Sequence, residues 1–404
     1  MSGRNAGISF GSRLSLKRSD IKSYILLAPI VLLLLIAFVV PVANLLSKAV
    51  WNPEIPELLP RTVSVLDDWD GEDLPPEAAY VALREDLSSN KSELGTLARR
   101  LNTQHPGMRR ILLSTANGMN LEAVDAKADV IGANKAWGDR DVWLLLRQER
   151  SYFTWYYLLA SVGLKQDQAN GITFDSTERT PFLAVFVRTF GISLSVTAIC
   201  LAVGYPYAWA MANASPFRGR LLLLFVLLPF WMSLLVRTTG WIILLQQNGP
   251  INVFLLWLGL ISEPLQLVFN RVGVIVAMVH IMLPFMILPI YAVIRGISPI
   301  YMKAAGSLGA HPWRAFWSVY LPMSLPGVIS GCMMTWILAL GYYITPALVG
   351  GSGDQMISYY IAFFTNESLN WGQAAALAWL LLMAALLSLL LFRKLGGSQT
   401  IRVS

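Results

Sequence analysis

An all-α membrane protein with six transmembrane helices is the fold class that this sequence predicts, and three observations carry the prediction. Of its 404 residues, 55% are apolar and only 14% are charged. In soluble domains about a quarter of the residues are charged. The mean hydropathy of this chain is +0.55. The apolar residues fall in separate runs of about 20 or more, the length that crosses a hydrocarbon core about 30 Å thick. This composition rules out a disordered chain and argues against a single soluble globular domain.

Six apolar segments are long enough to span a membrane. The first has 23 residues, which is longer than a typical signal-peptide core, so we expect it to span. Residues 251–261 form a shorter apolar run, which we expect to lie at the interface or to re-enter. The six predicted spans are residues 24–46, 190–212, 221–245, 272–294, 327–349 and 371–392.

A polar insert, residues 47–181, separates the first two spans. Residues 48–179 carry 15 Lys/Arg and 20 Asp/Glu, whereas the rest of the chain carries 16 basic and four acidic residues. The insert is large enough for a core of its own. Helical patterns recur at residues 77–88, 92–101, 119–131 and 139–164. We therefore expect a mostly helical extracytoplasmic domain, with Trp137, Trp143 and Trp155 in its core or interfaces.

The basic excess of the remaining chain predicts a membrane orientation and not nucleic-acid binding. Basic residues lie in the N-terminal tail (1–23), after the second span, in the 295–326 loop and in the C-terminal tail (396–404). With six spans, all four segments fall on one side. Both termini are therefore expected in the cytoplasm, and residues 182–395 form the predicted membrane core.

Prolines interrupt nearly every predicted span. Each removes a backbone donor and bends its helix, which is tolerated where neighbouring helices or a water-filled cavity satisfy the freed carbonyl groups. The pattern favours a conduit, although simple packing kinks explain any single proline equally well. These residues are Pro29, Pro41, Pro206, Pro229, Pro284, Pro289 and Pro346.

The loop between the fourth and fifth predicted spans, residues 295–326, is too long for a simple turn. Ser298 followed by Pro299 predicts a helix start, and Gly309 predicts the end of that helix. A short helix over residues 300–308 with small side chains can approach the backbone of another protein closely.

Pro322 and Pro326 follow that short helix in the sequence. We expect them to break the chain before the fifth span, because proline interrupts a helix interior.

At this loop the sequence resembles the six-span permeases of ABC importers, whose cytoplasmic signature is E-A-A-x3-G-x9-I-x-L-P. Five of the seven signature positions match, while a lysine replaces the acid and a valine replaces the isoleucine. The positions are Lys303, Ala304, Ala305, Gly309, Val319, Leu321 and Pro322. The resemblance implies a coupling helix within residues 298–310 that docks on a cytoplasmic ATPase dimer. ATP and Mg would bind to that partner, and no cofactor is expected on this chain.

Further segments resemble the spermidine/putrescine type of these permeases, over about residues 185–395. They include the Gly204-Tyr205-Pro206 run, the Leu228-Pro229-Phe230-Trp231 run and the Gly249-Pro250-Ile251-Asn252 run. The resemblance implies a type I importer permease fold in a bacterial inner membrane. It also implies a second related permease chain and a periplasmic solute-binding protein, and the insert lies where that protein would dock.

Five residues are candidates for the solute path or its gate: Trp231, Arg237, Trp241, Tyr342 and Tyr343. Arg237 is either functional or a snorkelling side chain near the span end. Tyr342 and Tyr343 either line the passage, form an external gate or are packing residues. Tyr342 stands where polyamine permeases often have Glu, and the six predicted spans contain no acid. The solute therefore stays open between a polyamine, an amino acid derivative, an opine and another small organic compound.

Other function classes have weaker support in the sequence. There is no phosphate-binding G-x-x-x-x-G-K-[ST] loop, so we do not expect ATPase or other enzyme activity of this chain. No metal-ligand spacing stands out, and His280 is expected to be a hydrogen-bonded packing residue. A stand-alone secondary transporter is the runner-up, and a membrane-anchored sensor with the insert as its ligand domain is the third reading.

Overall fold

The computed structural model describes residues 27–167, 171–174 and 182–397. The chain divides into two compact units, Met1–Ser47 and Lys48–Ser404. The described part of the first unit is a single apolar helix, α1 (Leu27–Ser47), in which Leu35–Val39 is π-helical. The predicted tail 1–23 and the first three residues of predicted span 24–46 lie outside the described residues, as does most of the tail 396–404.

The insert and the remaining spans belong to one unit, so the insert is not a separate compact body. The prediction that it is mostly helical is confirmed. Its elements are α2 (Glu54–Leu58), α3 (Pro60–Asp67), α4 (Glu77–Ser89), α5 (Leu94–Gln104), α6 (Met108–Gly118), α7 (Ala126–Ala133), α8 (Arg140–Gln148), α9 (Tyr156–Ser161), and the strands β1 (Leu164–Asp167) and β2 (Gly171–Phe174).

Three buried aromatic side chains form the centre of the insert. Trp137 and Trp143 are fully buried, with ring centroids 5.0 Å apart, and Tyr80 packs edge-on against Trp143. Their polar atoms are all paired: Trp143 Nε1 and Tyr80 Oη both donate to the Trp137 carbonyl, and Trp137 Nε1 donates to Thr115 Oγ1. Buried aromatic residues with paired polar atoms stabilise a core. The expected core placement holds for these two tryptophans, whereas Trp155 is 65% exposed.

The sequence missed two local features of the insert. The predicted helix 119–131 is helical only from Ala126, where the Asp125 carboxylate caps the first turn by accepting from Ala128 N. The predicted helix 139–164 is interrupted between α8 and α9 and is followed by β1, which pairs antiparallel with β2. Each strand has four residues, the shortest run in which an alternation of apolar and polar side chains can indicate a strand.

The membrane core consists of helices, as predicted. Among the described residues, five helices are long and apolar enough to span a membrane, and a bent helix pair brings the number to as many as six. The elements after the insert are α10 (Phe182–Asn213), α11 (Pro216–Leu227), α12 (Leu234–Leu245), α13 (Pro250–Trp257), α14 (Arg271–Gly296), α15 (Ile300–Ser307), α16 (Pro312–Leu340), α17 (Ile344–Val349), α18 (Ile357–Asn366) and α19 (Trp371–Gly397).

The third predicted span, 221–245, is not one straight helix. After α11 the chain makes a 3₁₀ turn over Leu228–Trp231, and the bent pair changes direction by 102°. Pro229 lacks the amide hydrogen that a continuous helix needs, and Ser233 caps α12 by accepting from Val236 N. The apolar run 251–261 is helical only in the short α13.

The expectation that Pro322 and Pro326 break the chain before the fifth span is wrong. Both lie inside α16, which begins well before the predicted residue 327 and ends at Leu340. A π-helical segment over Phe316–Tyr320 precedes Pro322, and Leu321 N donates to Phe316 O across it. The wider turn accommodates the proline without ending the helix. Residues 341–343 then connect α16 to the short α17.

Small residues let the core helices α10, α14 and α16 approach closely. A Cβ at Gly331 would lie 2.8 Å from the backbone oxygen of Met286, and a Cβ at Gly204 would lie 3.1 Å from Met286 Cγ. A Cβ at Gly327 would lie 2.9 Å from Val293 Cβ. Close backbone approach of this kind stabilises helix packing in a membrane.

Candidate functional site

The predicted coupling segment forms the short helix α15, outside the spans. The Ser298 hydroxyl and carbonyl accept from the backbone amides of Ile300 and Tyr301 at its start. Gly309 has φ +83°, and Ala310 N donates to Ala305 O across it. Glycine adopts this left-handed conformation at little cost, which ends the helix. The predicted limits of the helix therefore agree with the structure to within one or two residues.

The two alanines of the signature face different surroundings. Ala305 is buried, and α15 packs against the π-helical segment of α16. Lys303 and Ala304 are exposed. Of the three signature residues 303–305, Lys303 and Ala304 are therefore accessible to another protein, whereas Ala305 packs α15 against its own chain.

Apolar side chains surround the exposed side of α15. Leu308, directly after the helix, is 88% exposed, and four other side chains nearby are about half exposed or more. Exposed apolar patches of this kind are typical of protein interaction sites. They are Ile300, Tyr301, Trp313 and Trp317.

Leu321 and Pro322 have a different position from the rest of the signature. Both are half-buried within α16, next to the π-helical segment that receives α15. Leu321 and Pro322 therefore support α15 from within α16, and α15 itself forms the surface that a partner can reach.

A second group of predicted residues comes together between α12, α14 and the end of α16. Trp241 Nε1 donates to His280 Nδ1 over 3.1 Å, and their rings meet edge-on. Arg237 lies one turn before Trp241 on α12, and α12 packs against α17, which begins two residues after Tyr342. Three of the five candidates for the solute path, Arg237, Trp241 and Tyr342, therefore lie on neighbouring elements, and Trp241 contacts His280 directly.

Polar contacts fix this site in place. The Thr238 and Thr345 hydroxyls lie 3.3 Å apart and join α12 to α17. Arg237 Nε is buried and has no hydrogen-bond partner among the described residues. A buried donor without a partner is costly, so the guanidinium group is available to a polar group that enters the site.

The two remaining candidates lie elsewhere. Trp231 is 74% exposed on the 3₁₀ turn before the bend, and Tyr343 is 40% exposed after α16. Within the described part of the chain, no ring contact or side-chain hydrogen bond joins them to the Arg237 site. His280 is hydrogen-bonded as expected, but only the fold reveals its contact with Trp241, which is 39 positions away.

A model of the family "Binding-protein-dependent transport system inner membrane component" matches residues 204–395. The spermidine/putrescine transport system permease protein PotB of Escherichia coli K12 is 36% identical over 196 residues, which is 48% of this chain and 71% of PotB. The sulfate transport system permease protein CysW of Synechocystis is 29% identical over 239 residues, covering 55% of this chain and 84% of CysW.

A crystal structure of a bacterial ABC transporter that imports the acidic polysaccharide alginate is also similar. It is 19% identical and covers 54% of this chain and 80% of its own, with a TM-score of 0.44.

Proposed function

The chain belongs to the binding-protein-dependent transport system inner membrane components, so it is a multi-pass permease subunit of an ABC importer, and we propose that it carries a polyamine or a related amine or amino-acid-like solute from the periplasm to the cytoplasm. The proposed solute rests on the similarity to PotB, whose name refers to spermidine and putrescine. The similarity to CysW shows that this family also serves a chemically different solute.

The Arg237 site is the proposed solute path within this chain. No Asp or Glu lies in the spanning helices that the structure describes, so a cationic solute would meet aromatic faces and not carboxylates. Trp241 and Tyr342 offer such faces, and cation–π contacts of this kind are attractive. Arg237 would pair with a carboxylate, which an amino-acid-like solute carries and a polyamine lacks.

Uptake into proteoliposomes that contain the purified importer tests the solute. ATP-dependent uptake of labelled putrescine that falls in Trp241→Leu would support a polyamine. Uptake only of a carboxylate-bearing solute, lost in Arg237→Gln, would replace the polyamine by an amino acid derivative or opine.

The partners of the complex follow from the same proposal. An ATPase dimer that binds ATP and Mg would dock on the exposed residues of α15, and this chain would contain no ATPase site of its own. A second permease chain would complete the pathway, and the two would alternate between inward-open and outward-open states. The basic loops support a cytoplasmic position for both termini.

Purification from the native membrane in mild detergent, with mass spectrometry of what accompanies the chain, tests these partners. We expect an ATPase with a Walker-type loop, a second six-span permease and a solute-binding protein. A chain that is purified alone and still transports would point to a stand-alone secondary transporter instead.

We also propose that the insert helps to position the binding protein. The insert contacts the last span directly: Gln373 Nε2 donates to Ser161 Oγ over 2.7 Å, and a Cβ at Gly372 would overlap the Tyr157 ring. This contact supports a rigid position beside the transport pathway. Deletion of residues 55–175 should weaken docking of the binding protein, and unchanged docking and uptake would end this proposal.

A further inference from the structure

A cavity of about 210 Å³ lies between the insert and the start of the last span. Its walls combine three cations with aromatic rings, and both the insert and α19 contribute to it. The residues that matter for its chemistry are Lys48, Arg99, Arg100, Trp51, Tyr157 and Trp371. None of them belongs to the Arg237 site or to the coupling segment.

Arg100 is the buried cation of this cavity. Its side chain is only 8% exposed, and Nη2 pairs with Glu149 over 3.0 Å. Nε donates to Asn52 Oδ1 over 3.1 Å, and the guanidinium carbon lies 4.8 Å from the centre of the Tyr157 ring. Nη1 has no hydrogen-bond partner among the described residues. A guanidinium group fixed on two sides with one donor left over is suited to an incoming oxyanion.

The charges around Arg100 favour an anion. Lys48 and Arg99 line the same cavity and are exposed. Glu54 is the carboxylate of the wall, and Glu149 lies behind Arg100 in the buried ion pair. Three cations therefore face two carboxylates, which leaves the named groups with a net charge of +1.

The position of the cavity indicates where its anion comes from. Trp371 and Gly372, the first residues of the spanning helix α19, form part of its wall. Trp51 and Trp371 are partly exposed there, and the exposed Phe153 packs against Trp51 with ring centroids 5.2 Å apart. Tryptophan residues at a span end are typical of the membrane–water interface, which is the depth of phospholipid phosphate groups.

We propose that this cavity binds the phosphate group of an anionic phospholipid from the leaflet on the insert's side of the membrane. The phosphate would accept from Arg100 Nη1 and lie between Lys48 and Arg99. The acyl chains would leave past Trp51 and Trp371 along α19. The bound lipid would then fasten the insert to the membrane surface, in addition to the direct contact between α9 and α19.

Native mass spectrometry of the purified full-length chain tests the proposal, with phosphatidylglycerol, phosphatidylcholine or inorganic phosphate added in turn. Each cation near a membrane surface contributes about 1 kcal/mol to the attraction of an anionic lipid. We therefore expect Lys48→Ala/Arg99→Ala to bind phosphatidylglycerol about thirtyfold more weakly than the unchanged chain, which corresponds to about 2 kcal/mol. Both side chains are exposed, so the fold should tolerate this change.

Two further variants separate the cavity from general charge effects. Arg109→Ala/Arg110→Ala removes two adjacent exposed cations from α6, outside the cavity, and should leave binding unchanged. Thr96→Trp fills the cavity from its wall without changing any charge and should weaken binding. Equal binding by the unchanged chain and Lys48→Ala/Arg99→Ala would overturn the proposal, as would equal binding of phosphatidylcholine. Displacement of phosphatidylglycerol by millimolar inorganic phosphate would also overturn it and assign the cavity to a soluble anion.

Discussion

Large aromatic side chains fill the centre of the insert, whereas in the membrane core glycines let the helices approach closely. Trp137 and Trp143 close the centre of the insert with every polar atom paired. In the core, Gly327 and Gly331 let α16 lie directly against α14. Large apolar surfaces leave water readily, but lipid chains are as apolar as leucine, so membrane helices gain more from close backbone approach.

The same contrast extends to the surfaces. In the insert a buried carboxylate is paired internally: Asp86 accepts from both the amide and the hydroxyl of Thr62. The core leaves apolar surface open at α15, where Leu308 is almost fully exposed. The centre of the insert is therefore packed like the core of a soluble domain, whereas the open apolar surface at α15 is suited to cover by another molecule.

The largest expected effect is the loss of an insert tryptophan. Trp137→Ala should lower the free energy of unfolding of the insert by about 3–5 kcal/mol, because it empties a buried site and removes the donor to Thr115. Hydrogen exchange of the insert amides measures this change. Trp155→Ala, at an exposed position, is the matched control and should change exchange little. Equal effects of the two variants would contradict the assignment of the core.

The next effect sharpens the contrast in the membrane core. Gly331→Val should destabilise the chain by about 1–3 kcal/mol, because its Cβ would meet the Met286 backbone oxygen, which cannot move aside as a flexible side chain would. Thermal aggregation of the purified chain in detergent measures it. At Gly191, on α10, a Cβ meets nothing within 4 Å, so Gly191→Ala should be tolerated. If the two variants aggregate at the same temperature, close glycine packing is not what stabilises the core.

Substitutions of the two alanines of α15 test whether its surface is left open for a partner. Ala304→Leu should leave the chain folded but lower uptake by about 5- to 150-fold, the range of a coupling free energy of 1–3 kcal/mol. Ala305→Leu should instead destabilise the chain, because Ala305 is buried. Uptake and thermal aggregation, measured on both variants, separate the two effects. Full uptake by Ala304→Leu would remove α15 from the coupling role.

The smallest expected effect is a pH dependence of the insert. Burial, and secondly the charge of Arg100, lowers the pKa of His105 below its usual 6.5. At pH values between the lowered pKa and 6.5, the unfolded chain binds more protons than the folded chain. The stability that neutral His105 contributes is therefore present above about pH 6.5 and is lost as the pH falls below it. Urea unfolding of the insert, followed at several pH values, should show this slope, and His105→Gln should reduce it. An unchanged slope in the variant would assign the pH dependence to other groups.

Much of the fold follows from local features of the sequence. Apolar length alone predicts the spanning helices, because any backbone that crosses lipid must satisfy its own hydrogen bonds. Ser298 and Gly309 predict the limits of α15, since caps act within one helical turn. Trp137 and Trp143 could be assigned to a core because large aromatic side chains in a polar helical domain are stabilised by burial.

Other features depend on contacts between distant residues, and the sequence did not indicate them. Proline breaks the chain at Pro229, yet Pro322 and Pro326 lie inside one helix, because a π-helical turn precedes Pro322 and neighbouring helices support the remainder. The exposure of Ala304 and the burial of Ala305 depend on how α15 packs against α16.

The sequence by itself therefore determined the class of protein, the presence of its apolar helices and the limits of α15, all of which rest on composition and on spacing within a few residues. Only the tertiary structure decided which residues meet: Trp241 with His280, and Arg100 with Glu149 and Tyr157. The physical reason is that such sites consist of side chains from separate elements. Their distances are set by packing, which adjacent residues in the sequence do not encode.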